Sequence, residues 1–205
     1  IMSSDWSSDV CSSDLVENFL KSAPPAGRLL VAFSGGLDSH VLLHLLARRG
    51  SDRPLLAFHV HHGLQSGAEH WVDHCQAVCR TLDIPLQVLR VNVGQGGTQG
   101  VEAAARDARY AVLGGCLEPR DLLLTAHHLD DQAETVLLQL MRGAGPAGLA
   151  AMPRLAPFGP GWLGRPLLEV ARAALEAYAR DAGLHWIEDP SNADHRFDRN
   201  YLRHE

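Results

Sequence analysis

The sequence predicts an α/β fold, a parallel sheet of about five strands flanked by helices. Three features of the chain predict it. Short unbroken apolar runs alternate with longer segments of helical apolar period, the pattern of strands buried on both faces and joined by crossover helices. The first run passes directly into Ser34-Gly35-Gly36, a tight turn of the kind that leads from a strand into a helix. The 205 residues, 46% of them hydrophobic, suffice for the core of one such domain.

Taken in order, residues 1–14 repeat Ser-Ser-Asp three times with no apolar period, which predicts disorder. The run resembles a translated cloning or sequencing adapter. It is set aside as a leader that is not native, leaving 15–205 as the domain. Leu15, Val16, Phe19 and Leu20 predict a short helix closed by Pro24-Pro25. Strand one spans 29–33, and the helix after it carries Val41, Leu42, Leu45 and Leu46 as far as Gly50. Strand two spans 55–60, helix two 67–82 and strand three 86–93. A glycine-rich loop over 94–100 precedes helix three over 101–117. Strand four spans 122–126, and helix four begins near Asp130. Residues 143–165 are rich in Gly and Pro and read as a long irregular segment. A helix over 167–182 follows, then a loop from Trp186 to Asn192 and the start of a helix over 198–205 that the chain end cuts. Right-handed crossovers put Ser34, His61, Gly94 and His127 on one rim, beyond the carboxyl ends of the strands, where ligands of such sheets sit.

Composition excludes several classes. No apolar run is long enough to cross a bilayer, and the N-terminus lacks a basic start with an apolar centre. A cytoplasmic protein with no membrane partner is expected. Cys11, Cys75, Cys79 and Cys116 form no Cys-x-x-Cys pair. Cys75 and Cys79, one helical turn apart, read as small core residues, and neither a zinc nor an iron–sulfur site is expected. The net charge of −6 is unusual for a nucleic-acid binder, but residues 1–20 hold four acidic groups and no basic one. The rest of the chain, with 18 basic and 20 acidic groups, is −2, and 17 of those basic residues are arginines, which grip phosphate with two prongs.

The turn Ser34-Gly35-Gly36-Leu37-Asp38-Ser39 carries the strongest chemical signal. Glycines let the backbone approach a ligand, and the unpaired amides and dipole of the following helix favour an anion. Gly-x-x-x-x-Gly-Lys and Gly-x-Gly-x-x-Gly are both missing, so neither a Walker loop nor a dinucleotide fingerprint applies. An ordinary corner capped by Asp38 or Ser39 competes with the phosphate reading.

Three more clusters stand near the rim. Thr125 to Thr135 places Asp130 and Asp131 at a helix start, where two carboxylates can hold magnesium against ATP phosphates, or an incoming cation. A capping box competes, with Asp131 as cap and Glu134 reaching back. It leaves His127, His128 and Asp130 without a role. Glu102, Arg106 and Arg109 share one helix face, which an ordinary surface Glu–Arg pair also explains. Glu188 to Asn192 with Arg199 to Arg203 reads equally as a solvated turn and a basic helix start.

Taken together, these segments carry a resemblance. Ser-Gly-Gly-x-Asp-Ser resembles the pyrophosphate (PP) loop of the ATP pyrophosphatases, which cleave ATP between its α and β phosphates. His59-Val60-His61-His62-Gly63-Leu64, Glu102 to Tyr110, Thr125 to Thr135, Arg142-Gly143-Ala144-Gly145-Pro146-Ala147-Gly148-Leu149 and Trp186 to Arg203 follow it in order. That succession, over roughly 28–205, resembles the tRNA(Ile)-lysidine synthetases. The resemblance implies an adenine nucleotide alpha hydrolase-like (PP-loop) fold. It also implies an ATP-dependent ligase that adenylates the C2 oxygen of the wobble cytidine of tRNA(Ile) with a CAU anticodon. Free L-lysine then displaces AMP to give lysidine. The residues implied for ATP are Ser34, Gly35, Gly36, Leu37, Asp38, Ser39 and His61. Asp38, Asp130 and Asp131 are implied for catalysis and for Mg2+. For lysine or tRNA, the implied residues are Glu102, Arg106, Arg109, His127, Glu134, Arg142 and Arg199, with Asp130 and Asp131 also candidates for the lysine ammonium. Family members usually extend further, so the chain resembles a catalytic domain cut from a longer protein. A tRNA thiolase shares the loop but needs a reactive or cluster-binding cysteine. A non-catalytic ATP-binding module would bind ATP without lysine-dependent pyrophosphate release.

Overall fold

In the sequence, Leu29, Leu30 and Val31 precede the glycine turn, and Leu122, Leu123 and Leu124 precede the histidine pair. In the computed structural model the two triplets lie side by side as parallel strands at the centre of one sheet. The structure describes residues 8–25, 27–50, 52–61, 68–91, 101–145 and 148–188. Their elements are α1 (Ser8–Ser22), β1 (Leu29–Ala32), α2 (Leu37–Arg49), β2 (Leu55–His61), α3 (Ala68–Thr81), β3 (Leu86–Arg90), α4 (Val101–Gly115), β4 (Leu122–Leu124), α5 (Leu129–Met141), a 3-10 turn (Gly148–Ala150), β5 (Leu155–Phe158), β6 (Gly161–Gly164) and α6 (Arg172–Asp181).

The sheet has six strands in the order β3-β2-β1-β4-β6-β5. All neighbours are parallel except β5 and β6, which form an antiparallel pair at the edge. The chain fills the sheet outward from β1 to β3, then returns to the other side of β1 with β4. The order therefore reverses between β1 and β4, and the crevice at that reversal is where ligands bind in open α/β sheets.

Strand alternation explains the unbroken apolar runs. Leu29, Val31, Leu122 and Leu124 face a core shared with Val16, Phe19, Leu42, Leu175 and Tyr178 from α1, α2 and α6. Leu30 and Leu123 face the opposite way, onto Leu113 and Leu117 of α4 and its following turn. Both faces are covered, so every residue of these strands is apolar. At the amino ends, Arg28 Nε and Nη2 donate to Asp121 Oδ1 and Oδ2 at 3.0 and 2.5 Å, joining the starts of β1 and β4. Cys75 and Cys79 are buried in the first core, as expected of small core residues.

The structure departs from the sequence reading in four places. The first is α1, which begins at Ser8 and so takes in residues of the acidic repeat, while residues 1–7 lie outside the described part. Once Val16, Phe19 and Leu20 are packed, extending the helix backwards costs no new nucleus. The second is the Gly- and Pro-rich stretch 143–165, which supplies β5 and β6 rather than an irregular segment throughout. Pro157 is tolerated because β5 is the sheet edge. Gly161 is required because a Cβ there would sit 2.4 Å from the Asp121 carbonyl oxygen. The third is α6, which starts at Arg172, not 167. Leu167, Leu168 and Val170 are buried, and a turn serves that better than one helix face. The fourth is the start of α5, where the capping box is built from different residues. His128 is the N-cap, and its N–H donates to Asp131 Oδ2 at 3.0 Å, so Asp131 is the residue that reaches back rather than the cap. The helix start expected over 198–205 lies outside the described residues.

Candidate active site

The turn after β1 is held open by its own hydroxyls. Ser34 N donates to Ser39 Oγ at 3.2 Å, the two hydroxyls lie 3.0 Å apart, and Ser39 Oγ donates to the Gly36 carbonyl at 3.1 Å. Gly36 N donates to Ser34 Oγ at 3.3 Å, and Gly36 is the N-cap of α2, where no side-chain cap bond forms. Gly35 has φ 86°, and a Cβ on it would lie 2.9 Å from Cys75 Sγ. Both conformation and packing therefore demand glycine. Leu37 is buried, so only its backbone can face a phosphate. An uncapped helix start behind a glycine turn is a ready anion site. On its outer side, Ile187 N donates to the Gly35 carbonyl at 3.0 Å, so the segment leading to Glu188 crosses the turn. Beneath it, buried His59 sets Nδ1 3.0 Å from the Phe33 carbonyl oxygen and 3.4 Å from Cys75 Sγ, and burial keeps the imidazole less basic than usual.

The two central loops meet at the switch point. Asp38, in the first turn of α2, and Asp130 and Asp131, in the first turn of α5, all surround the imidazole of His128. His128 Nε2 lies 3.8 Å from Asp38 Oδ2 and 3.5 Å from Asp131 Oδ2, and Nδ1 lies 3.4 Å from Asp130 Oδ2. The ring is 2% exposed, whereas the side chains of Asp38 and Asp130 are 33% and 55% exposed, so solvent reaches the carboxylates and not the ring. An imidazole among three carboxylates separates like charges that would repel each other. The sequence singled out all three aspartates but gave His128 no role. Its only sequence signal is its place between a buried strand and two carboxylates.

Asp130 has a second task. Its Oδ2 accepts the Arg172 N–H at 2.8 Å and thereby caps α6, whose N-cap is an alanine. Burial opposes its ionisation, but that N–H and the neighbouring His128 outweigh it and hold the carboxyl below its usual value. Among the described residues, no group of three His, Cys, Asp or Glu is arranged to hold a metal ion.

The remaining candidates are dispersed. His127 Nδ1 lies 2.9 Å from Thr125 Oγ1, and Glu134 is buried one turn into α5. His61 stands at the end of β2 with Nε2 3.5 Å from Glu69, which Arg90 holds through two hydrogen bonds. Arg106 sits over the Tyr110 ring at 5.2 Å, and exposed Arg109 adds positive field at His59. Arg142 is the C-cap of α5, about 17 Å by helix rise from the aspartates, so it does not join them. The side chain of Glu102, the residues His62 to Leu64, and Arg199 lie outside the described part. A further residue that the sequence gave no reason to choose is Arg165, buried at the end of β6.

Comparison with known proteins decides the family. The profile of an ATP-binding family, the PP-loop domain, matches residues 10–205. The chain belongs to the PP-loop family. It is 56% identical over 200 residues to a tRNA(Ile)-lysidine synthase of Pseudomonas fluorescens, covering 95% of this chain and 45% of the relative. It is 62% identical over 183 residues to one of Pseudomonas aeruginosa, covering 88% and 41% respectively. The chain thus spans less than half the length of these relatives. Among solved structures, a U34-tRNA thiolase from Methanococcus maripaludis superposes with a TM-score of 0.72 at 18% identity, over 95% of this chain and 71% of that one. At that identity the likeness concerns the fold alone, and it agrees with the PP-loop architecture. No helix among the described residues is long and apolar enough to cross a membrane.

Proposed function

We propose that this PP-loop chain is the catalytic domain of a tRNA(Ile)-lysidine synthase and works in the cytoplasm. ATP lies with its phosphates on Ser34 to Ser39, and His61 flanks the nucleotide on the next strand. The C2 oxygen of the wobble cytidine of tRNA(Ile) with a CAU anticodon attacks the α-phosphorus. An oxygen–phosphorus bond forms, the α–β anhydride breaks, and pyrophosphate leaves into the turn. The ε-amine of L-lysine then attacks C2, forming the carbon–nitrogen bond and releasing AMP. The base comes from a single-stranded loop, so no duplex needs opening.

Support for the phosphate step comes from the meeting of Asp38 and Asp131 around His128, directly beside the uncapped start of α2. That donor set fits Mg2+, which is usually held by one or two carboxylates plus substrate phosphates rather than by a full protein cage. Asp38 and Asp131 would hold it, with Asp130 beside them, and bound there it neutralises charge on the phosphates. The lysine ammonium is met by carboxylates of the same rim, with Asp131, Glu134, Asp130 and Glu102 as candidates. His127 is a further candidate, and Arg106, Arg109, Arg142 and Arg199 are offered to phosphates.

The thiolase alternative needs a reactive thiol. Burial pushes Cys75 up to about 12 and Cys79 up to about 11, which keeps both protonated and unreactive at neutral pH. The test uses the chain extended past residue 205, with ATP, tRNA(Ile) bearing CAU and radiolabelled lysine. The expected result is label in the tRNA together with AMP and pyrophosphate release that requires lysine for completion. ATP binding without lysine transfer would overturn the proposal in favour of a non-catalytic module.

A further inference from the structure

Arg165 follows the last residue of β6, and Thr125 N donates to the Gly164 carbonyl at 3.0 Å, so Arg165 stands one step above the ladder on the carboxyl rim. Strand alternation fixes the side it faces. Leu163 packs with Leu113, Leu117 and Leu123 against α4, and Arg165, two residues on, faces the same way. There it meets Tyr110, whose ring carries the Arg106 guanidinium at 5.2 Å. Two arginines thus flank one tyrosine on the α4 side of the rim.

The surroundings of Arg165 are unusual for a cation. The residue is 7% exposed. Nη1 donates to the Pro153 carbonyl at 2.8 Å, while Nε is buried and has no hydrogen-bond partner. Among the described residues no carboxylate pairs with it, although buried guanidinium groups normally require one. Burial makes the guanidinium easier to deprotonate than usual; its contact with Tyr110 opposes that, and the charge of Arg106 adds a smaller push the same way as burial. A cation held in this way, with a donor still unused and a second cation beside it, matches an anion supplied from outside the fold.

We propose that Arg165, together with Arg106, forms a phosphate-binding site on the α4 side of the rim. The ligand chemistry is a phosphate group, either of ATP or of the tRNA backbone beside the presented base. The proposal rests on reading the rim as the site where ATP and tRNA meet.

The test compares Arg165→Gln, Arg165→Lys and Arg106→Gln with the parent in the chain extended past residue 205. ATP affinity is measured by calorimetry, tRNA affinity at several salt concentrations, and melting temperature alongside. Arg165→Gln is expected to weaken one of the two ligands about tenfold, with Arg165→Lys in between, because a point charge replaces a two-pronged donor. A loss confined to ATP identifies a nucleotide phosphate. A loss confined to tRNA, with a salt slope smaller by about one, identifies a backbone phosphate. Arg106→Gln should weaken the same ligand. The melting temperature should hold or rise, because an uncompensated buried cation is removed. A lowered melting temperature with both affinities unchanged would mean that Arg165 only ties down Pro153, and the proposal fails. If Arg165→Gln does not fold, Arg165→Lys and Arg106→Gln decide, and parent-like affinities for both overturn it. Parent-level lysine transfer in a variant with unchanged affinities sinks this site alone. Absence of lysine transfer in the parent sinks the functional reading but leaves the affinity arms standing.

Discussion

Asp38 Oδ2 lies 3.8 Å from His128 Nε2, and the two residues come from loops 90 positions apart in the chain. Only the reversal of strand order between β1 and β4 makes them neighbours. His128 is thus the joint through which the glycine turn and the aspartate pair share one geometry. His128→Ala is expected to lower ATP affinity about tenfold or more, and Asp38→Asn to do likewise. In the double variant the losses should fall short of additive, since each removes the same contact. Calorimetric titration of ATP into the four proteins checks this, and strict additivity would mean that the two residues act separately.

Gly35 is held by two constraints, φ of 86° and a Cβ position 2.9 Å from Cys75 Sγ. Gly35→Ala is expected to destabilise the domain by about 1–3 kcal/mol and to weaken ATP binding. Adding Cys75→Ala makes room for the new methyl but cannot relieve the positive φ. The double variant should therefore lie above the sum of the single losses in melting temperature, while ATP affinity stays low. No recovery at all would show that backbone strain alone accounts for the glycine.

Much of this site was legible in the sequence because its signals are local. A strand, a glycine pair and a helix start can be read in ten residues, and Asp130 and Asp131 stand at the next helix start. His128 and Arg165 escaped because their meaning is non-local. One is defined by carboxylates from two loops, the other by burial beneath a helix 55 positions earlier in the chain, at Tyr110. The β5–β6 pair escaped because Pro157 and Gly161 carry loop propensity. Their reasons, an edge position and a close carbonyl, exist only in the assembled sheet. Asp130 was chosen for its charge, yet its hydrogen bond to Arg172 N caps a helix that the sequence placed five residues too early.

Asp121 is 1% exposed, accepts both prongs of Arg28, and accepts the Glu118 N–H at 2.7 Å. Burial opposes its ionisation, but these donors outweigh it and hold the carboxyl below the usual range. Asp121→Asn leaves part-exposed Arg28 with only the exposed Glu118 carboxylate, 3.1 Å away, as counter-charge, and is expected to destabilise the domain by about 1–2 kcal/mol. The pair sits at the amino ends of the strands, opposite the rim, so ATP affinity of the folded fraction should not change. Urea unfolding and ATP titration separate the two effects. A loss of affinity at full folding would show that the clasp acts on the rim.

The last expectation concerns acid. His40 lies in α2, 5% exposed, with the Phe33 ring 5.9 Å and the His74 ring 6.3 Å away. Burial lowers its pKa to about 4, and the nearby imidazoles of His74, His44 and His185 push the same way against the opposing effect of the His185 backbone. In the unfolded chain the ring titrates near its ordinary value of about 6.5. Above that pH both states are neutral and the folded state is not penalised. Below it the unfolded chain binds a proton that the folded one refuses, so stability falls as pH drops from about 6.5 towards 4. The full slope for one such proton is about 1.4 kcal/mol per pH unit. Burial lowers His59 and His74 as well, so they add to the same limb. Replacing the ring in His40→Gln removes one titrating group. The stability of the variant, measured by urea unfolding from pH 7 to 4.5, should decline less steeply than that of the parent. Parallel curves would mean that His40 takes up its proton in the folded state as readily as in the unfolded one.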